Sequence, residues 1–306
     1  MNRLNKKIFQ KRMLDWFQIH GRTLPWRKTR DPYAILVAEV MLQQTQVERV
    51  VPKYQAFMDF FPSLSALAEA PKAEVIRAWA GMGYNRRALF LQRAARFAVD
   101  QLGGRLPPDI SSLRDLDGVG PYTAAAVACF AFNQQIPVLD TNVKRVLQRV
   151  FRGSQHLGSS VYLKLAVEAL PEGQAWEWNQ ALMDLGATIC KARNPRCNVC
   201  PVGPYCHAKQ SFQELVSVAK ANSTAQNKLV PFHGSSRYYR GRIVDWLRNT
   251  ALTTTMDMED LGRRLKSDYT QSDSPWLLGL LEGLERDGLV CMRREPNRVI
   301  VGLPMG

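Results

Sequence analysis

LDGVGPYTAAA, residues 116–126, is the segment from which this 306-residue chain is best read. Leu113 and Leu116 close one helical pattern, and Pro121 opens the next at the first helical position, which proline favours. Between them Gly118-Val119-Gly120 makes a tight turn. Two glycines one residue apart let backbone N–H groups converge with no Cβ in the way. At a helix N-terminus such groups suit an anion of phosphate type. A sharp turn between packed helices is the plainer reading of the same residues.

Outward from this turn the pattern stays helical from about Met13 to Ala208, with apolar residues recurring at three and four, as in Leu89, Ala94, Ala95 and Phe97. No alternating Val/Ile-rich run of strand length precedes residue 230, so the first part reads as all-α. Residues 216–236 lose that periodicity, gain Ser, Asn and Thr, and read as a linker. Three short helical patterns follow, at Arg237–Arg248, Met258–Lys266 and Pro275–Asp287. Two strand patterns, Leu289–Met292 and Val299–Leu303, then flank the turn-like Glu295–Asn297. Three helices and a hairpin over 237–306 give a small winged-helix-like α+β domain.

The charge narrows the partner. Lys and Arg number 41 against 27 acids, a net +14. Residues 1–30 hold nine basic residues against the single acid Asp15, and residues 201–250 hold seven against two. The last 56 residues run the other way, seven against nine. A basic excess at both edges of a more neutral middle points to nucleic acid, and in that setting the glycine turn reads as a hairpin gripping a DNA backbone through Gly118, Val119 and Gly120. The acidic tail fits protein docking or bracing as well as DNA reading. No run approaches the ~20 apolar residues of a membrane span, and no signal-peptide stretch opens the chain, so a cytoplasmic protein is expected.

Four of six cysteines crowd into CKARNPRCNVCPVGPYC: Cys190, Cys197, Cys200 and Cys206. Such a quartet without a secretory signal implies metal before disulfides. Spacing alone leaves zinc and iron–sulfur both open. Cys129 and Cys291 read as buried thiols.

Two acids stand in unfriendly surroundings. Every residue from Ala34 to Leu42 except Glu39 is apolar. A carboxyl on such a face is expected to have a raised pKa, the state a general acid needs near neutral pH, although a structural hydrogen bond would also account for it. Asp140 follows IPVL and precedes TNVKRVL, where it serves as a helix N-cap.

With these residues in hand, the chain resembles the helix-hairpin-helix DNA glycosylases, and within them the adenine DNA glycosylases of the MutY type. The resemblance rests on LPWR (24–27), DPYAILVAEVMLQQTQ (31–46), GMGY (81–84), LDGVGPYT (116–123), LDTNVKRV (139–146), NQALMDLGATIC (179–190) and the quartet, about 190 residues in family order. It implies a mainly α, two-lobed glycosylase over 1–215, with a six-helix barrel near 28–135 and a cluster lobe from 1–27 plus 136–210. It further implies a [4Fe–4S] cluster on the four cysteines, double-stranded DNA as partner, and a monomer in a bacterial or archaeal cytoplasm, associated with the nucleoid. Glu39 resembles the general acid that protonates adenine, and Asp140 the carboxylate that stabilises the oxocarbenium-like sugar. Tyr122 and Asn142 match assisting positions. Arg22, Leu24, Trp26, Arg27 and Gln180 match the pocket for an extruded base. Gln44 and Tyr84 match residues that wedge into the vacated stack, and Met82 falls where the family usually has leucine. The bifunctional relatives carry a catalytic lysine where this chain has Tyr122, so hydrolysis by water without strand cleavage is expected.

The resemblance is not complete. The family's usual Nudix-like tail, which reads 8-oxoguanine, is replaced by the winged-helix-like segment. Thr141 stands where a glycine is usual, and Gly83-Tyr84-Asn85 replaces the usual Gly-Tyr-Tyr. The primary expectation is a base-excision-repair enzyme removing adenine opposite 8-oxoguanine or guanine. The alternatives are a thymine/uracil glycosylase acting opposite G and a non-catalytic lesion-binding protein.

Overall fold

The computed structural model describes residues 3–153, 157–209, 232–251 and 255–305. Residues 216–231 of the expected linker lie outside them. The helices in chain order are α1 (Arg3–His20), α2 (Pro32–Leu42), α3 (Val47–Phe60), α4 (Leu64–Glu69), α5 (Lys72–Ala78), α6 (Arg86–Gln101), α7 (Ile110–Arg114) and α8 (Pro121–Phe130). They continue as α9 (Thr141–Arg152), α10 (Ser159–Ala169), α11 (Ala175–Thr188), α12 (Ser236–Arg248), α13 (Met258–Leu265) and α14 (Ser274–Arg286). The strands are β1 (Met256–Asp257), β2 (Cys291–Glu295) and β3 (Arg298–Gly302). The fold is mainly helical, with a small C-terminal sheet.

The chain divides into two compact units. One comprises residues 1–36, 108–114 and 119–226. Its core takes Val143, Val146, Leu147 and Val150 from α9, an i, i+3, i+4, i+7 stripe. Against it lie Phe9 and Met13 of α1 and Trp178, Leu182 and Leu185 of α11. Phe9 meets Trp178 edge-on, with ring centroids 5.2 Å apart. The α8 sequence of small apolar residues lets Ala124, Ala126, Val127 and Ala128 be buried together. Where α11 passes the start of α9, only a glycine fits: a Cβ on Gly186 would lie 2.6 Å from Asn142 Cβ.

The other unit comprises residues 37–107, 115–118 and 227–306. Its C-terminal part runs α12–β1–α13–α14–β2–β3, with sheet order β1–β3–β2, a winged-helix arrangement. Cys291 pairs with Gly302 and Glu295 with Arg298 across the antiparallel hairpin. Pairing through Arg293 and Arg294 carries β2 beyond the apolar run that marked it in the sequence, and Cys291 is exposed rather than buried. The core is continuous: Ile243, Val244 and Leu247 of α12 join Leu261, Leu277 and Leu281, and the same cluster takes in Ala73 and Ile76 of α5 and Leu89 of α6. No helix among the described residues is long and apolar enough to cross a membrane.

Candidate active site and cysteine centre

In the first unit the chemistry gathers at the head of α9. Asp140 is its N-cap, and Oδ1 accepts from the Val143 N–H at 2.6 Å. The other oxygen accepts from Asn142 Nδ2 at 2.9 Å. Asn142 Oδ1 in turn accepts from Arg145 Nη2 at 2.6 Å, and Arg145 also donates to the carbonyls of Gly186 and Cys190, each at 2.8 Å. Burial pushes Asp140 above the usual carboxylate range. Its hydrogen bonds from Val143 and Asn142 and the charge of Arg145 pull the other way without cancelling that effect.

The two arginines expected at the base pocket converge on one buried carboxylate. Arg27 forks both guanidinium nitrogens onto Asp184 at 2.8 Å, and Arg22 donates through its backbone N–H at 2.9 Å and Nε at 2.8 Å. Asp184 is fully buried. Burial alone would raise it, but the hydrogen bonds and charge of Arg27, with those of Arg22, overturn that effect and hold it below its ordinary value. Arg22 and Arg27 therefore tie the segment bearing Leu24 and Trp26 to α11. Leu24, Trp26 and Gln180 are all buried. Asp184 was missed in the sequence, although an acid among Ala181, Leu182 and Leu185 was the same signal that drew attention to Glu39. Tyr122 lies in the first turn of α8, half-buried, after Gly120 as N-cap and Pro121 at the first helical position. Val119 is buried and Gly120 exposed.

Glu39 lies in the second unit, 4% exposed within the apolar stretch of α2. The loops expected to carry the wedges belong to this unit too. Gln44 and Tyr84 both take left-handed backbone, with φ of 56° and 46°. Both are exposed, whereas Met82 is buried. Between the two loops sits Arg87, which sequence reasoning did not single out. It donates to the carbonyls of Val40 and Met41 at 2.9 Å and Gln43 at 2.5 Å, to Thr45 Oγ1 at 3.0 Å, and to the carbonyls of Met82 at 3.3 Å and Gly83 at 3.1 Å. Burial lowers its pKa to about 10, so it remains a cation at neutral pH. Gly118 has φ +76°, and a Cβ there would lie 2.8 Å from Phe90 Cβ, so this glycine serves both the turn and its seat on α6.

Cys190, Cys197, Cys200 and Cys206 border one cavity, with Val146, Val150, Leu185 and Val202 among its apolar walls. Burial raises the thiols of Cys197, Cys200 and Cys206, Cys200 to about 12, and neighbouring cysteines add to the effect. Arg149 Nη1 lies 3.4 Å from Cys190 Sγ, and Lys209 also lines the cavity. Four soft donors around one apolar cavity, with cations beside them, suit an anionic metal–thiolate group. Among the described residues, no three thiol, imidazole or carboxylate side chains form a single-ion site.

Likeness to known proteins makes this a base-excision-repair protein of the helix-hairpin-helix class. Residues 37–167 match the family described as HhH-GPD superfamily base excision DNA repair protein. The chain is 38% identical over 293 residues to an adenine DNA glycosylase of Mycolicibacterium smegmatis, covering 95% of each. It is 41% identical over 219 residues to the adenine DNA glycosylase of Homo sapiens, covering 67% of this chain and 40% of that one. A solved thermostable thymine-DNA glycosylase superposes with a TM-score of 0.64 at 33% identity, covering 68% of this chain and 97% of the other. The chain belongs to the adenine DNA glycosylase family of DNA N-glycosylases.

Proposed function

We propose that the protein excises adenine paired with 8-oxoguanine or guanine, by hydrolysis and without strand cleavage, as a monomer acting on double-stranded DNA in the bacterial cytoplasm. The observation that carries this reading is the buried carboxyl of Glu39 on an apolar helix, in a chain similar along 95% of its length to an adenine DNA glycosylase. Glu39 gives a proton to a ring nitrogen of the extruded adenine, and the electron pair of the breaking C1′–N bond passes into the base. Asp140, held by Asn142 and Val143, stabilises the positive charge that develops on the sugar. Water adds to C1′ and loses a proton, leaving an abasic site. Tyr122 assists at this centre, and with no lysine at its position no Schiff-base intermediate forms.

Leu24, Trp26 and Gln180 form the adenine pocket, and Arg22 and Arg27 hold its wall through Asp184. Gln44 and Tyr84 take the space the base vacates, with Met82 buried in the same loop as Tyr84, while Gly118, Val119 and Gly120 grip the backbone. The four cysteines hold a [4Fe–4S] cluster, which contributes a structural cross-link between the end of α11 and the segment that follows.

The test is a duplex panel carrying A:8-oxoguanine, A:G, T:G and U:G pairs, treated with alkali to reveal abasic sites. Cleavage of the adenine strand is expected only after alkali. Release of thymine or uracil with adenine untouched would overturn the adenine reading. It would favour the second one, which the likeness to the thymine-DNA glycosylase supports.

A further inference from the structure

The C-terminal elements from α12 onward have no part in the chemistry above, yet they pack on the helices beside the Tyr84 loop. At the end of α14, Asp287 accepts from Arg240 of α12 at 2.5 Å and pairs with Arg86, the first residue of α6, at 3.3 Å. The next residue, Gly288, ends the helix 3.4 Å from the Leu89 side chain, measured from where its Cβ would stand. Leu89 is itself in the core shared by α12, α13 and α14. On α5, Arg77 donates to the carbonyl of Thr250, just after α12. Residues 79–85, including the Tyr84 loop, thus run between two helices that the C-terminal elements grip directly.

Arg86 and Leu89 flank Arg87 on the first turn of α6, and Arg87 is the group that joins the Gln44 and Tyr84 loops. Left-handed backbone at a glutamine and a tyrosine is costly for each and persists only where surrounding contacts over-determine it. Six acceptors on one guanidinium supply such contacts, but only while the helix bearing Arg87 is held in place.

We propose that the winged-helix elements serve as a brace. By clamping the first turn of α6 through Asp287 and Leu89, they fix Arg87 and with it the two exposed residues that enter the DNA stack. Asp287 and Arg86 are then positioning residues for base extrusion. The proposal rests on the reading of Gln44 and Tyr84 as wedges, and the experiment separates the two ideas.

In the full-length protein, Asp287→Asn is compared with Glu282→Gln, which removes the same charge from an ion pair internal to the C-terminal elements, and with Tyr84→Ala. Hydrogen exchange is read over residues 42–46 and 81–88, and base extrusion from the fluorescence of 2-aminopurine placed opposite 8-oxoguanine. Asp287→Asn is expected to speed exchange in those two segments alone and to slow extrusion by roughly fivefold, within the range of coupling between contacting residues. Asp287→Glu should restore both, and Glu282→Gln should leave both unchanged. The brace is overturned if exchange and extrusion stay as in the parent protein while Tyr84→Ala slows extrusion. It is overturned equally if exchange rises throughout the chain, or if Glu282→Gln acts as strongly. Should Tyr84→Ala leave extrusion untouched, the wedge reading fails, and the exchange data still decide the brace.

Discussion

Asn142 donates to Asp140 at 2.9 Å while accepting from Arg145 at 2.6 Å. The carboxylate at the head of α9 is therefore wired, through one amide and one guanidinium, to the backbone of Gly186 and Cys190. Its two oxygens do separate work: one caps the helix and the other is held by the amide.

Those two roles can be separated. Asparagine is as good an N-cap as aspartate, so Asp140→Asn should fold and melt close to the parent protein. It removes the negative charge that the proposed mechanism sets against a developing cation, and single-turnover adenine release should fall by about 100-fold or more. Asp140→Ala should lose the rate and also about 1 kcal/mol of stability, as an absent cap costs. Melting curves beside quenched single-turnover assays check both.

The elevated pKa of Asp140 sets a pH window. The carboxyl must be ionised to stabilise a cation, so its contribution is lost as pH falls through its raised folded value. The acid limb of the single-turnover rate should therefore lie above the ordinary aspartate value of about 3.9. For stability the sign is opposite: the folded state holds this proton more tightly, so the group favours folding less as pH rises through that same window. A pH–rate profile on saturating enzyme is the measurement, and an acid limb at or below the ordinary value would contradict it.

Asp184 behaves in the reverse sense. Its pKa is held down by Arg27 and Arg22, so its stabilisation is present above the unfolded value and disappears as pH falls through the lower folded one. Asp184→Asn leaves two arginines facing a neutral amide in a buried site and should cost about 3–5 kcal/mol near pH 7. Denaturant unfolding of parent and variant should show that gap narrowing as pH falls below about 4.

The sequence made some of this plain and hid the rest for physical reasons. Gly118-Val119-Gly120-Pro121 carries its turn in its own chemistry, and the apolar frame around Glu39 marks that acid without reference to anything distant. Arg22 and Arg27, by contrast, carry no local mark of their structural partner, because Asp184 lies some 160 residues away. Arg87 gave no local signal at all: most of its acceptors are backbone carbonyls, which every sequence possesses. At two residues β1 is too short to show alternation, and it exists because β3 pairs with it. The common core of α12 with α5 depends on packing between segments more than 150 residues apart, which periodicity does not encode.

Two glycine substitutions separate packing from backbone entropy. A Cβ on Gly186 would stand 2.6 Å from Asn142 Cβ and 3.2 Å from its Cα, so helix must move against helix. Gly186→Ala should cost about 1–3 kcal/mol, as overpacking does. The displaced atoms belong to Asn142, so adenine release should fall even at temperatures where the variant is fully folded. Gly279, within α14, has nothing within 4 Å of its added Cβ. Gly279→Ala should instead stabilise by roughly 0.5–1 kcal/mol, the usual advantage of alanine in a helix interior, with excision unchanged. If both variants shift the melting temperature alike, close approach of α9 and α11 does not explain the glycine at 186.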